Sequence, residues 1–254
     1  MKKLFISAKK SLSSNNQKQA MSFFVKALER AEIVDDKETA SKICYEMGRI
    51  YDGNDCLVEA LDSYYKSLQN TKDNNLKTRA HIAMAQIYDD VNLLDTAISH
   101  YITSVSYAGQ EDNLAAQSTS MTKIANIFAG KYNNEAFDYY DLALSLVEQV
   151  DNSKIKGYVT GNTAVAYDKF NKPEEALNYY SQAVQNYSMA ESPMQTAIYY
   201  EKAAGVMIDY GNPHKARSLL QKALYNARQT DDAELIKSIN EKLADVEFEI
   251  KSLG

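Results

Sequence analysis

Alanine recurs along this chain at positions 20, 60, 97, 136, 176 and 216, with intervals of 40, 37, 39, 40 and 40 residues. Four residues after each alanine stands a large apolar side chain: Phe24, Tyr64, Tyr101, Tyr140, Tyr180 and Leu220. Seven residues after it stands a small one: Ala27, Ser67, Ser104, Ala143, Ala183 and Ala223. Spacing of i, i+4, i+7 is one face of an α-helix. A second pattern precedes five of the alanines: Met47-Gly48-x-x-Tyr51, Met84-Ala85-x-x-Tyr88, Ile124-Ala125-x-x-Phe128, Thr163-Ala164-x-x-Tyr167 and Ala203-Ala204-x-x-Met207. Large, small, large at helical spacing predicts a helix with a notch, and the repeating alanine of the next helix is expected to face it.

Turn signals fall at the same period. Asp35-Asp36, Asp73, Asp112, Asp151, Ser192 and Asp231-Asp232 stand before helical segments, where side-chain oxygens can accept from free N–H groups of the first turn. Ser192-Pro193 places proline at the first helical position, where no donor is lost. Asn54, Asn171 and Asn212 mark a tighter turn within each unit. The unit is therefore helix, short turn, helix, longer turn. The predicted repeats span about 1–34, 37–72, 74–111, 113–150, 152–190 and 192–230. Leu235, Ile239, Leu243 and Val246 share one face of a final helix over 233–252, which would cover the last repeat. The first pair carries Ser11 where others carry an aromatic, as suits the opposite end. The expected fold is all-α, a solenoid of about six helix pairs and one capping helix, forming a single superhelical domain over 1–254.

Composition sharpens this picture. Proline (3) and glycine (9) are too scarce for a loop-rich or all-β chain. The net charge is −6, and no run of Lys and Arg exceeds the pairs Lys2-Lys3 and Lys9-Lys10. Nucleic acid is therefore not an expected partner, and neither is an anionic membrane surface. Cys44 and Cys56 make no disulfide framework. The apolar stretch Leu4 to Ala8 is shorter than the roughly 7–15 residues of a secretory h-region, and no stretch approaches a membrane span of about 20. The expected location is cytoplasmic.

These repeats resemble the tetratricopeptide repeat (TPR), whose pattern sets Trp, Leu-Gly, Tyr, Ala and an aromatic at fixed helical spacing. The second unit follows it as Cys44, Met47, Gly48, Tyr51, Ala60 and Tyr64. The tryptophan position holds Cys44, His81, Met121, Thr160 and Tyr200, the closing proline is missing, and the period is near 40 rather than 34. Longer units of this kind are similar to those of polarity-complex adaptors, bacterial signalling-peptide receptors and the SNARE-disassembly adaptors called SNAPs. The resemblance implies a concave groove lined by the first helix of each pair. It places Lys42, Arg49, Arg79, Gln86, Lys123, Asn126, Asn162 and Lys202 in that groove as peptide-binding residues. In the first three repeats they form a partly basic stripe fitted to an acidic peptide, although Asp52, Asp89 and Asp168 lie close by in sequence.

Candidate chemistry is sparse. His81, His100 and His214 show no i, i+4 pair of a helical metal site, so no metal or cofactor is expected. His81 and Cys44 take packing positions. No phosphate loop, Gly-x-Gly-x-x-Gly or Gly-x-Ser-x-Gly occurs. Among 19 tyrosines, the doublets at 64-65, 139-140 and 179-180 each contain one core aromatic of the repeat rather than a stacking platform for bases or sugars. The expected function is a non-enzymatic scaffold or adaptor that binds a peptide or helical segment of a partner protein. A peptide-gated switch and a SNAP-like trafficking adaptor are the alternatives.

Overall fold

The computed structural model describes residues 1–252, and every regular element among them is an α-helix. The helices are α1 (Lys2–Ser13), α2 (Gln17–Ile33), α3 (Lys37–Asp52), α4 (Leu57–Asn70), α5 (Asn74–Asp90), α6 (Leu94–Gly109), α7 (Leu114–Gly130), α8 (Glu135–Val147), α9 (Ser153–Lys169), α10 (Pro173–Met189), α11 (Pro193–Asp209), α12 (Pro213–Ala227) and α13 (Ala233–Ser252). They form six consecutive pairs and a closing helix, an α-solenoid. The chain divides into two compact units, Met1–Ser120 and Met121–Gly254.

The periodic positions are the core. All six repeating alanines are fully buried, and none of Phe24, Tyr64, Tyr101, Tyr140, Tyr180 and Leu220 is more than 2% exposed. The core is not one mass but a series of local clusters. One joins α1 and α2 to Ile43 and Ile50 of α3. The next joins Tyr45 of α3 and Ala60 and Tyr64 of α4 to Leu76, Ala80 and Met84 of α5. In the second unit, α7 and α8 close on Ala166 of α9, α9 and α10 on Ala203 and Val206 of α11, and α11 and α12 on Ile239 and Val246 of α13. These five pairs thus bury their apolar faces against the first helix of the successor or the closing helix, which is how a repeat array is stabilised.

At Gly48 the notch receives a ring. A Cβ on Gly48 would lie 2.7 Å from two ring atoms of Tyr64, four residues beyond Ala60. Gly161 makes the same allowance for Tyr199. Three core tyrosines satisfy their hydroxyls within their own pair. Tyr64 donates to Asp52 (3.5 Å) and Tyr180 to Asp168 (3.1 Å), so these carboxylates anchor the core. Tyr140, with Ala129 in place of the aspartate, donates to Asn126 instead (2.6 Å).

The short turn within every pair contains one residue with positive φ: Asn15, Asp55, Asn92, Tyr132, Asn171 and Gly211. Asn, Asp and Gly tolerate that conformation. Of the residues expected to mark this turn, Asn171 occupies the position, while Asn54 precedes it and Asn212 follows it as the N-cap of α12. Two expected N-caps also move by one residue. Asp112 takes positive φ and Asn113 caps α7 through Ala116 N–H, and Asn152 rather than Asp151 caps α9 through Ile155 N–H. Asp36, Asp73 and Asp232 cap as the sequence suggests. Ser192 holds the N-cap position of α11, but its hydroxyl donates back to Ala190 C=O.

Candidate peptide-binding face

In the first unit, four of the expected binding residues lie on the first helices α3 and α5. Lys42, Glu46 and Arg49 follow one stripe of α3, and Arg79, Ala83 and Gln86 one stripe of α5, since residues three and four apart share a helix face. Lys42, Arg49, Arg79 and Gln86 are exposed. Contacts between helices tie these stripes together. Lys42 Nζ sits 3.7 Å from Asp73 at the start of α5 and 3.8 Å from Glu38. The Arg79 guanidinium lies 4.6 Å from the centre of the Tyr45 ring. Lys9 of α1 reaches Glu46 at 3.3 Å, and Arg49 reaches it at 3.1 Å. Glu46 is only 6% exposed, and a buried carboxylate needs such partners. The basic stripe is thus partly compensated. Lys42 and Arg49 are held by carboxylates, while Arg79 rests on an aromatic face, an arrangement that leaves a guanidinium's in-plane donors for another acceptor.

The other four residues lie in the second unit. Asn126 of α7 donates to Asn162 of α9 (3.0 Å), and Asn162 donates to Tyr158 C=O (2.7 Å). With Tyr140 bound to Asn126, both amides are engaged in a polar ladder between helices. Lys123 is half-buried and Lys202 exposed, and neither has an ion-pair partner among the described residues. Two of the four are therefore free cations and two are structural donors.

Two features were not legible from spacing. The structure brings together His81 of α5 and His100 of α6, nineteen residues apart, with Nδ1 atoms at 2.9 Å. His81 also stacks on Tyr107, and His100 on Tyr88. Burial, with each imidazole beside the other, holds the His81 pKa down to about 4; burial also lowers that of His100. The second feature is a repeated stack. Phe128 lies parallel to Tyr139, and Tyr167 to Tyr179, each at 5.4 Å. Tyr88 on His100 is the same contact in the third pair. The non-core members of the doublets at 139-140 and 179-180 therefore join the two helices of their own pair. Among the described residues, no group of three or more His, Cys, Asp and Glu could hold a metal ion, and no helix is long and apolar enough to cross a membrane.

Solved structures share this arrangement. BtubC from P. vanneervenii superposes with a TM-score of 0.70 at 16% identity, over 90% of this chain and 91% of that one. A signal transduction ATPase with a tetratricopeptide repeat sensor from Pyrococcus horikoshii gives a TM-score of 0.81 at 15% identity, over 96% of this chain and 38% of that one. The fold is of the tetratricopeptide-repeat type. The apo quorum sensor NprR from B. thuringiensis matches at a TM-score of 0.67 and 16% identity, over 96% of this chain and 67% of that one. No protein-family model and no curated protein matches the sequence.

Proposed function

We propose that this chain is a non-enzymatic interaction scaffold of the 40-residue-period TPR kind, working in the cytoplasm, whose first-helix face binds a segment of a partner protein. The observation that carries this reading is the set of exposed polar side chains at matching turns of α3 and α5, on helices whose backs are committed to the repeat core. The segment is acidic. Arg79 has in-plane donors to offer, and Lys42 can exchange its long contacts with Asp73 and Glu38 for a carboxylate brought by the partner. Lys123 and Lys202 supply uncompensated charge in the second unit. The ligand-gated reading is supported by two of the similar structures, which are described as sensors. Small-angle scattering with and without the bound segment separates a switch, which changes its profile, from a passive scaffold, which does not.

The test is affinity capture from the source cell's lysate, read by mass spectrometry, comparing wild type with Lys42→Gln/Arg79→Gln. Arg49 is left in place because its loss removes one of the two cations paired with buried Glu46. The reading expects a partner held by wild type and lost by a variant with an unchanged helical melt. The same partner held equally by both would overturn it.

A further inference from the structure

A cavity of about 490 Å³ opens between the C-terminal ends of α2 and α4 and the first half of α3. That volume is in the range of small-ligand pockets. Comparison with the next pair, 37 residues on, explains why it exists. There, Lys77 Nζ lies 4.9 Å from the centre of the Tyr107 ring, His81 stacks on that ring at 5.8 Å, and His100 packs against His81 at 5.1 Å. The corresponding residues of the second pair are Ala40, Asn70, Cys44 and Ser63. Three rings and an ammonium are replaced by four small or short side chains, and the space they would fill is left open.

The chemistry of the walls selects the occupant. Ser41 lines the cavity, is 2% exposed, and has no hydrogen-bond partner among the described residues. Its hydroxyl lines the open cavity and is free to bond a ligand there. The Cys44 thiol is pushed up to about 11 by burial and stays neutral. The wall lysines are engaged, Lys37 with Asp35 at 3.8 Å and Lys66 with Asp62 at 2.6 Å. Glu32 has no ion-pair partner among the described residues. Its counterpart in the next pair, twelve residues after the repeating alanine, is Lys72. The site therefore offers a slot walled in part by Leu28, Ala31, Ala40 and Cys44, a hydroxyl and an unpaired carboxylate.

We infer that this cavity binds a phenol ring carrying an ammonium arm, the ring replacing the missing repeat aromatics, its hydroxyl meeting Ser41 and its ammonium meeting Glu32. Both a free arylethylamine and the N-terminal tyrosine of a polypeptide have this chemistry. Residues 40, 41 and 44 point away from the stripe of Lys42, Glu46 and Arg49 at 100° per residue, so the site stands or falls independently of the first-helix face.

The experiment is an amide-resolved NMR titration with tyramine. Shifts confined to the ends of α2 and α4 and the first half of α3 are expected, with 4-hydroxyphenylacetate binding about tenfold or more weakly. Glu32→Gln should remove that preference. Cys44→Tyr, which supplies the residue found at position 200, should abolish binding. Should that variant misfold by circular dichroism, Ser41→Ala serves instead. It should weaken tyramine by about three- to tenfold, the worth of one hydrogen bond, and leave phenethylamine unchanged. The inference is overturned by no localised shifts at saturating tyramine, by equal affinity for the acid and the amine, or by undiminished binding to folded Cys44→Tyr or to Ser41→Ala. Comparing tyramine with Tyr-Gly-Gly amide then assigns the source, the tighter binder marking a free amine or a polypeptide N-terminus.

Discussion

Single residues decide how closely these helices approach. Gly161 lies mid-helix, where alanine is ordinarily preferred by about 1 kcal/mol. A Cβ there would overlap the phenol end of Tyr199, itself wedged between Tyr180 and Tyr187. Overpacking costs about 1–3 kcal/mol, so Gly161→Ala should lower stability in a urea melt despite its better helix propensity; a stabilised variant would mean Tyr199 moves aside freely. At the imidazole pair, the unfolded chain takes up protons near 6.5, whereas folded His81 resists until about 4. Protons then favour the unfolded state, and stability contributed by the neutral pair is lost as pH falls from about 6.5 towards 4. His81→Gln/His100→Gln should flatten the drop in melting temperature between pH 7 and 5, and an identical drop in both proteins would show that the pair does not titrate on unfolding. Neither contact is visible in the sequence, because Gly161 and Tyr199 belong to different helices, as do His81 and His100, and no fixed spacing links them.

At the scale of the element, legibility was high where a helix repeats a pattern and low where a turn chooses between neighbours. Ala176 is fully buried in the cluster shared by α9, α10 and α11. Ala176→Leu should destabilise by about 1–3 kcal/mol, and an unchanged thermal melt would contradict the register. The N-caps of α7 and α9 fell one residue from the marked aspartates, since Asp112-Asn113 and Asp151-Asn152 each offer two capping types. Asn152→Ala should therefore cost about 0.5–2 kcal/mol and Asp151→Ala little, with equal effects on chemical denaturation disproving the assignment. Ion pairing was likewise hidden. The spacing of Lys42, Arg49 and Arg79 gives a stripe, and Glu46 three residues before Arg49 is in reach on the same helix, but the contacts of Lys9 with Glu46 and of Lys42 with Asp73 form only when α1, α3 and α5 are side by side.

For the whole molecule, sequence and structure agree on an array whose stability is nearly a sum of neighbour contacts, because period and burial are one fact seen twice. Every repeating alanine is fully buried, and the core clusters of the first, second and sixth pairs each end on the helix that follows the pair. What the period cannot specify is the ligand, since binding side chains sit at positions the core leaves unconstrained. The most direct test of the scaffold assignment is site-specific photocrosslinking in lysate. A crosslinking residue at Gln86, exposed on α5 about two turns from Arg79 on the same stripe, is compared with one at Val58, which is 79% exposed on α4. The account predicts a discrete protein adduct from position 86 that Lys42→Gln/Arg79→Gln removes, and none from position 58. A discrete adduct from position 58 alone would contradict it and move the interface off the first helices.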